Sequence, residues 1–151
     1  MANALIVCAT RTGETRQIGE LIAEGLRIDG VDAVVKDVKY IKQQSDLEGY
    51  DALILGSATY HGDMMQGMKT MLFLAENIDL EGKVGGAFGA FGWSGEAPDR
   101  IYDTMKHIFK MNMVEEPLRL KTSSLQGGIQ MAQNYGKEIV KKLETRNLAE
   151  S

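Results

Sequence analysis

Residues 5–26 limit the possible folds more than any other part of the chain. In this unit an apolar run is followed by a loop of hydroxyl side chains and then by an amphipathic stretch. Residues 5–9 are typical of a buried strand, and aliphatic residues recur at helical spacing over residues 18–26. The loop between them carries three threonines and Gly13. The first N–H groups of a helix have no partner within the helix, and the helix dipole adds positive potential there. The unit therefore predicts a place that holds an anion.

Strands and helices alternate along the rest of the chain. Apolar or β-branched runs predict four more strands, at residues 31–38, 51–56, 84–91 and 114–120. Pro117 cannot donate a ladder hydrogen bond, so we expect the last strand at an edge of the sheet. Apolar spacing predicts three more helices, at residues 64–75, 98–109 and about 125–143, and the residues expected to face inward include Met64, Ile108 and Ile129. Residues 39–49 are polar with one helical turn around 42–47, and residues 144–151 are expected to be a frayed tail.

This alternation predicts an α/β fold in a single domain covering residues 1–151. The architecture expected is a doubly wound five-stranded parallel sheet in the order 2-1-3-4-5, with helices on both faces. In such sheets ligands bind beyond the carboxyl ends of the strands, where the strand order reverses. That place is formed by the loops after the first, third and fourth strands, at residues 10–15, 57–63 and 92–98.

The three loops differ in chemistry. The first offers threonine hydroxyls and a helix N-terminus, which suit a phosphate monoester, although it contains neither a Walker sequence nor a dinucleotide fingerprint. The second offers Tyr60 and the third Trp93, each next to glycines. Two aromatic rings on one rim can sandwich a planar ring system. A phosphate tethered to a planar heterocycle describes FMN.

At these residues the sequence resembles the flavodoxin family over nearly its whole length. The segment TRTGET at 10–15 is similar to the family's phosphate loop, and GSATY at 56–60 is similar to the loop whose aromatic residue covers the flavin. The segment FGAFGWSGEA at 88–97 resembles the third flavin loop of the flavodoxin-like domain in flavodiiron proteins. The resemblance implies a flavodoxin-like fold of the short-chain type, and FMN as the cofactor.

The resemblance also implies which residues bind the cofactor. They belong to the three loops and are Thr10, Arg11, Thr12, Gly13, Glu14, Thr15, Ser57, Ala58, Thr59, Tyr60, His61, Gly62, Asp63, Phe91, Gly92, Trp93, Ser94, Gly95 and Glu96. Glu14 stands where the family commonly has asparagine, and His61 where many members have glycine. Asp63 and Glu96 are the carboxylates expected to lower the flavin potential. His61 is either a proton donor near the flavin or a solvent-facing loop residue, and Met64 with Met65 form either core or a docking surface.

Composition excludes several other classes of function. A net charge of −4 argues against nonspecific binding of nucleic acid and favours basic protein partners. The single cysteine, Cys8, lies in an apolar strand and is interpreted as a buried hydrophobe, while the two histidines give no metal-ligand spacing. The N-terminus carries no targeting signal and no membrane-spanning segment is expected, which predicts a cytoplasmic protein. We expect a monomer.

The leading hypothesis is an electron carrier that binds FMN, shuttles electrons between redox partner proteins, and has no catalytic residues or metal of its own. The alternative is an FMN-dependent quinone or flavin reductase, which needs an open pocket over the flavin. A phospho-receiver domain of the same fold needs acidic residues at the ends of the first and third strands. Those ends carry Cys8, Ala9, Gly56 and Ser57, so that hypothesis fails.

Overall fold

The computed structural model describes residues 2–60, 62–90, 96–120 and 127–150. Its strands are β1 (Asn3–Ala9), β2 (Asp32–Asp37), β3 (Ala52–Ser57), β4 (Thr59–Tyr60), β5 (Asp63–Met64), β6 (Val84–Ala90), β7 (Asn112–Met113) and β8 (Leu118–Leu120). Its α-helices are α1 (Glu14–Ile28), α2 (Gln66–Ala75), α3 (Glu96–Asp103) and α4 (Gly128–Glu150). Two 3-10 turns (Val38–Tyr40 and Gln44–Leu47) join β2 to β3, and a π-helical turn (Thr104–Ile108) continues α3.

The main sheet confirms the predicted topology. Its order is β2-β1-β3-β6-β7, all pairs are parallel, and β8 pairs with β6 beyond the end of β7. With β7 and β8 counted as one interrupted strand, this is the doubly wound order 2-1-3-4-5. The separate hairpin of β4 and β5 begins in the predicted second loop and extends one residue beyond it, to Met64. Cys8 pairs with Gly56, and Gly56 pairs with Phe88, so the central strands end at the same edge of the sheet.

The sheet separates two hydrophobic cores. Alternate residues of β1 enter each core: Ile6 and Cys8 pack with α1 and α4, while Leu5 and Val7 pack with α2 and α3. Because both faces of the strand are buried, its sequence is a continuous apolar run rather than an alternating one. Burial also raises the pKa of Cys8 to about 12, so the thiol is a small apolar side chain, as predicted.

Four predicted details are wrong. Met64 belongs to β5, where it pairs with Thr59, and α2 begins two residues later, at Gln66. Ile108 is 63% exposed because the π-helical turn changes the angle between successive side chains and rotates it out of the core. Ile129 is 49% exposed in the first turn of α4. Residues 144–150, predicted to fray, continue α4 to Glu150.

Two tyrosines close the gap between β7 and β8. Strand pairing with β6 stops after Met113 and resumes at Leu118, so part of the β6 backbone has no strand beside it on that side. The hydroxyl of Tyr135 accepts a hydrogen bond from the Ala87 N–H (3.1 Å) and lies 2.9 Å from the Glu116 carbonyl oxygen. The Tyr102 hydroxyl donates to the main chain on the other side of the gap. Buried main-chain groups need such partners, and here side chains supply them.

Candidate functional site

The strands that precede the three predicted loops end at the same edge of the sheet, the carboxyl edge. The first follows β1, the second follows β3, and the third follows β6, and these are three neighbouring strands. Each loop leads into a helix that runs back along the sheet. The main-chain N–H of Ala58 donates to the carbonyl of Ala9 at 3.0 Å, which joins the second loop to the first.

The first loop is shaped by hydrogen bonds between near neighbours. Thr10 Oγ1 accepts from the Gly13 N–H at 2.8 Å, and the Gly13 carbonyl accepts the first helical bond, from Gln17, at 3.0 Å. Gly13 has φ +91°, a left-handed conformation that costs glycine little and most other residues much more. No side chain of the described part of the chain caps the helix at Gly13. The loop therefore turns sharply into α1, and the helix N-terminus is left open to an external anion.

Thr15 gives the clearest sign that a ligand belongs in this loop. Its side chain is fully buried in the first turn of α1, and its Oγ1 has no hydrogen-bond partner among the described residues. A buried hydroxyl without a partner costs roughly 1–3 kcal/mol, so native structures rarely leave one unsatisfied. A phosphate oxygen would accept from it. The first loop therefore fits the phosphate end of FMN.

The second loop folds as a hairpin with a two-residue turn. Thr59 pairs with Met64 and Tyr60 with Asp63, and Gly62 in the turn has φ +75°. Ser57 is buried at the base, where its Oγ accepts from the Met65 N–H at 2.9 Å and donates to the Ala58 carbonyl. Buried side-chain bonds thus hold the base of the hairpin.

An ion-pair cluster holds the far side of the hairpin. Asp63 Oδ2 lies 2.6 Å from Lys69 Nζ, and Asp63 Oδ1 lies 3.7 Å from Arg100 Nε. The hydrogen bond from Lys69, together with the Met64 N–H and both cations, holds the pKa of Asp63 below its usual range. The carboxylate that was expected to act on the flavin is therefore offset by two cations.

Of the third loop, the structure describes only the C-terminal end, from Glu96 onward. Phe91, Gly92, Trp93, Ser94 and Gly95, and His61 of the second loop, lie outside the described residues. Glu96, the last of the predicted site residues, opens α3. The next residue, Ala97, donates its main-chain N–H to Thr59 Oγ1 at 3.2 Å. The second loop is thus bonded to the helix that follows the third.

The structure also shows where the remaining described residues of the predicted site lie. Arg11 and Thr12 are exposed at the tip of the first loop, and Glu14 begins α1. Met64 lies in the core and Met65 is partly buried against it, which argues against a docking surface built on Met64. Lys69 and Arg100 were missed by the sequence analysis. The available signal was their position on the helices that follow the second and third loops, Lys69 in the first turn of α2 and Arg100 one turn into α3.

The described residues offer neither a metal site nor a membrane-spanning helix. Among residues 2–60, 62–90, 96–120 and 127–150, no group of histidine, cysteine or carboxylate side chains could hold a metal ion. Within the same ranges no helix is long and apolar enough to cross a membrane.

Comparison with known proteins identifies the family. A sequence model of the flavodoxin domain matches residues 5–135. The type A flavoprotein FprA of Rhodobacter capsulatus is 33% identical over 100 residues, which are 66% of this chain and 23% of that protein. The chain therefore matches less than a quarter of that relative's length. The NAD(P)H dehydrogenase (quinone) of Archaeoglobus fulgidus is 29% identical over 122 residues, covering 65% of this chain and 64% of that protein.

A solved structure agrees with the sequence matches. A flavodoxin from the domain Archaea superposes with a TM-score of 0.88 and 28% identity, covering 94% of this chain and 99% of that one. Flavodoxins bind FMN, and the open helix N-terminus and buried Thr15 hydroxyl of this chain fit its phosphate. The chain therefore belongs to the flavodoxin family, as a flavoprotein of redox function whose cofactor is FMN.

Proposed function

We propose that this protein is an electron carrier, in which bound FMN takes electrons from one redox protein and passes them to another. The observation that carries the proposal is the two-way match with a flavodoxin: 94% of this chain aligns with 99% of that one. FMN supplies the redox chemistry, and the chain binds it, orients it and limits its contact with water.

In this proposal the first loop holds the phosphate. The hydroxyls of Thr10, Thr12 and Thr15 and the N–H groups at the start of α1 donate to phosphate oxygens. The loop carries Glu14 as well as Arg11, so its hydroxyls and main chain, rather than net positive charge, provide most of the affinity. Thr15 contributes most because its hydroxyl is already removed from water.

The second and third loops enclose the flavin ring in this proposal. Tyr60 and Trp93 stack on its two sides, and main-chain groups of the same loops contact its polar edge. Asp63 is paired with Lys69 and Arg100, so its main task is to hold the hairpin rather than to set the flavin potential. Glu96 remains the carboxylate expected to lower that potential.

The decisive experiment separates a carrier from an enzyme with its own substrate. The FMN-loaded protein is mixed in a stopped-flow instrument with NADH, and separately, after reduction by dithionite, with cytochrome c as a one-electron acceptor. A carrier gives rapid oxidation by cytochrome c and no reduction by NADH within minutes. A colourless protein that takes up no FMN would contradict the cofactor, and with it both candidate functions.

The second candidate is a quinone reductase. One observation favours it, the 29% identity to a quinone-reducing NAD(P)H dehydrogenase over 65% of this chain. Steady-state consumption of NADH in the presence of benzoquinone, without any other protein, is the result expected of this function. Such turnover would replace the carrier proposal.

A further inference from the structure

Thr59 of the second loop caps a helix that belongs to a different part of the chain. Its Oγ1 accepts a hydrogen bond from the main-chain N–H of Ala97, the second residue of α3, at 3.2 Å. N–H groups in the first turn of a helix need partners from outside the helix, normally from the residue just before it. That residue is Gly95, which has no side chain, and Pro98 has no N–H. Thr59 therefore supplies a cap for α3 from 38 positions earlier in the chain.

A second contact joins the same two elements one turn further along. Arg100 of α3 lies 3.7 Å from Asp63 of the hairpin, measured between Nε and Oδ1. The same carboxylate is held by Lys69 of α2 at 2.6 Å. The hairpin is thus tied to α3 at both of its strands, through Thr59 in β4 and Asp63 in β5.

The packing beneath these contacts is close. A Cβ on Gly89, near the end of β6, would lie 2.4 Å from the Ser57 carbonyl oxygen and 2.8 Å from Pro98 Cγ. Real Cβ atoms do not approach other atoms so closely. The end of β6, the base of the second loop and the first turn of α3 are therefore in direct contact, and β6 and α3 are the two elements that flank the third loop.

We propose that Thr59 is a positioning residue: by capping α3 it fixes the end of the third flavin loop, so that the second and third loops hold the flavin as one unit. This differs from the role expected from sequence, in which Thr59 touches the cofactor. It acts on FMN through Ala97, and its effect is present before FMN binds. Arg100 and Asp63 support the same arrangement by charge.

The first test uses the protein without FMN. Thr59→Val keeps the shape of the side chain and removes the acceptor, whereas Thr59→Ser restores a hydroxyl. In Thr59→Val we expect the Ala97 amide to exchange its hydrogen about tenfold faster than in wild type, measured by NMR. We also expect a shift in the emission of Trp93, the single tryptophan and a residue of the third loop. Thr59→Ser should resemble wild type in both.

The second test measures FMN affinity by fluorescence titration. Thr59→Val should weaken binding about fivefold, the equilibrium equivalent of one neutral hydrogen bond. Thr70→Val is the matched control, because the Thr70 hydroxyl donates to the Gln66 carbonyl within α2 at 3.1 Å. It should leave FMN affinity and Trp93 emission unchanged.

A second variant, Arg100→Gln, keeps the proposal testable if Thr59→Val folds poorly, and the two are also combined. Arg100→Gln changes an exposed side chain and should weaken FMN binding less than Thr59→Val. If both act through α3, the combined loss is smaller than the product of the single losses. Independent losses would overturn the proposal. So would a Thr59→Val variant that loses FMN affinity while Ala97 exchange and Trp93 emission stay as in wild type, because that result means direct contact with the cofactor.

Discussion

The first loop, residues 10–15, and the hairpin of the second loop end neighbouring strands, yet they are held by different means. Thr10 and Gly13 bond to each other, three residues apart, and the side chain of Thr15 is left with an unused hydroxyl. The hairpin depends on distant residues, with Thr59 bonded to Ala97, 38 positions further along the chain. Changes in the first loop should therefore alter FMN binding without disturbing distant segments, and changes in the hairpin should alter both binding and the surrounding structure.

The strongest test of this difference is Thr15→Val. Without FMN the variant should be more stable than wild type by about 1 kcal/mol, because a methyl group replaces a buried hydroxyl that has no partner. With FMN the same hydroxyl would bond to a charged phosphate, so affinity should fall tenfold or more. Urea unfolding of the apoprotein and FMN titration measure the two effects, which have opposite signs.

Thr12→Val is the control for this experiment, since Thr12 is exposed in the same loop. Its apoprotein should unfold at the same urea concentration as wild type, within about 0.5 kcal/mol in free energy. If Thr15→Val destabilises the apoprotein instead, the Thr15 hydroxyl already has a partner and the open phosphate site is wrong.

A pair of glycines tests the hairpin. Gly62 in its turn and Gly30 after α1 have φ +75° and +86°, and open space surrounds the Cβ that each lacks. Each substitution by alanine should lower the free energy of unfolding by about 1–2 kcal/mol, because the left-handed conformation strains alanine. We expect Gly62→Ala also to weaken FMN binding, whereas Gly30→Ala should bind as wild type does. Equal affinities would show that the hairpin turn has no part in the site.

The smallest effect concerns the charge of Asp63. Its pKa is lower in the folded protein than its ordinary value near 4, so ionised Asp63 stabilises the fold above that pH and this contribution is lost as the pH falls through the lowered pKa. Asp63→Asn should therefore lower the free energy of unfolding at pH 7 by less than about 1 kcal/mol, and the difference should shrink below about pH 4. Urea unfolding at pH 7 and pH 3 checks this. A difference that persists unchanged at pH 3 would show that the ion pairs with Lys69 and Arg100 are not its source.

The parts of the fold that depend on local pattern could be predicted from the sequence. The buried strands, the topology and the first loop follow from apolar runs, alternation and the glycine next to threonines. The exposure of Ile108 could not be predicted, because a π-helical turn shifts the spacing of the side chains. No proline or glycine in that turn indicates it in the sequence. The bond between Thr59 and Ala97 was equally invisible, since nothing in either segment indicates the other. The features that could not be predicted are contacts that single side chains make between distant segments.

Tyr135 gives the protein a place where its chain could be lengthened. Its hydroxyl satisfies the Ala87 main chain in the middle of the sheet, a task that a neighbouring strand would otherwise perform. The segment between β7 and β8 is thus not needed as a strand partner at Ala87. Residues inserted beside Pro117 would loop outward while the sheet stayed closed, so this edge can accept a peptide tag or a small domain at the side of the fold.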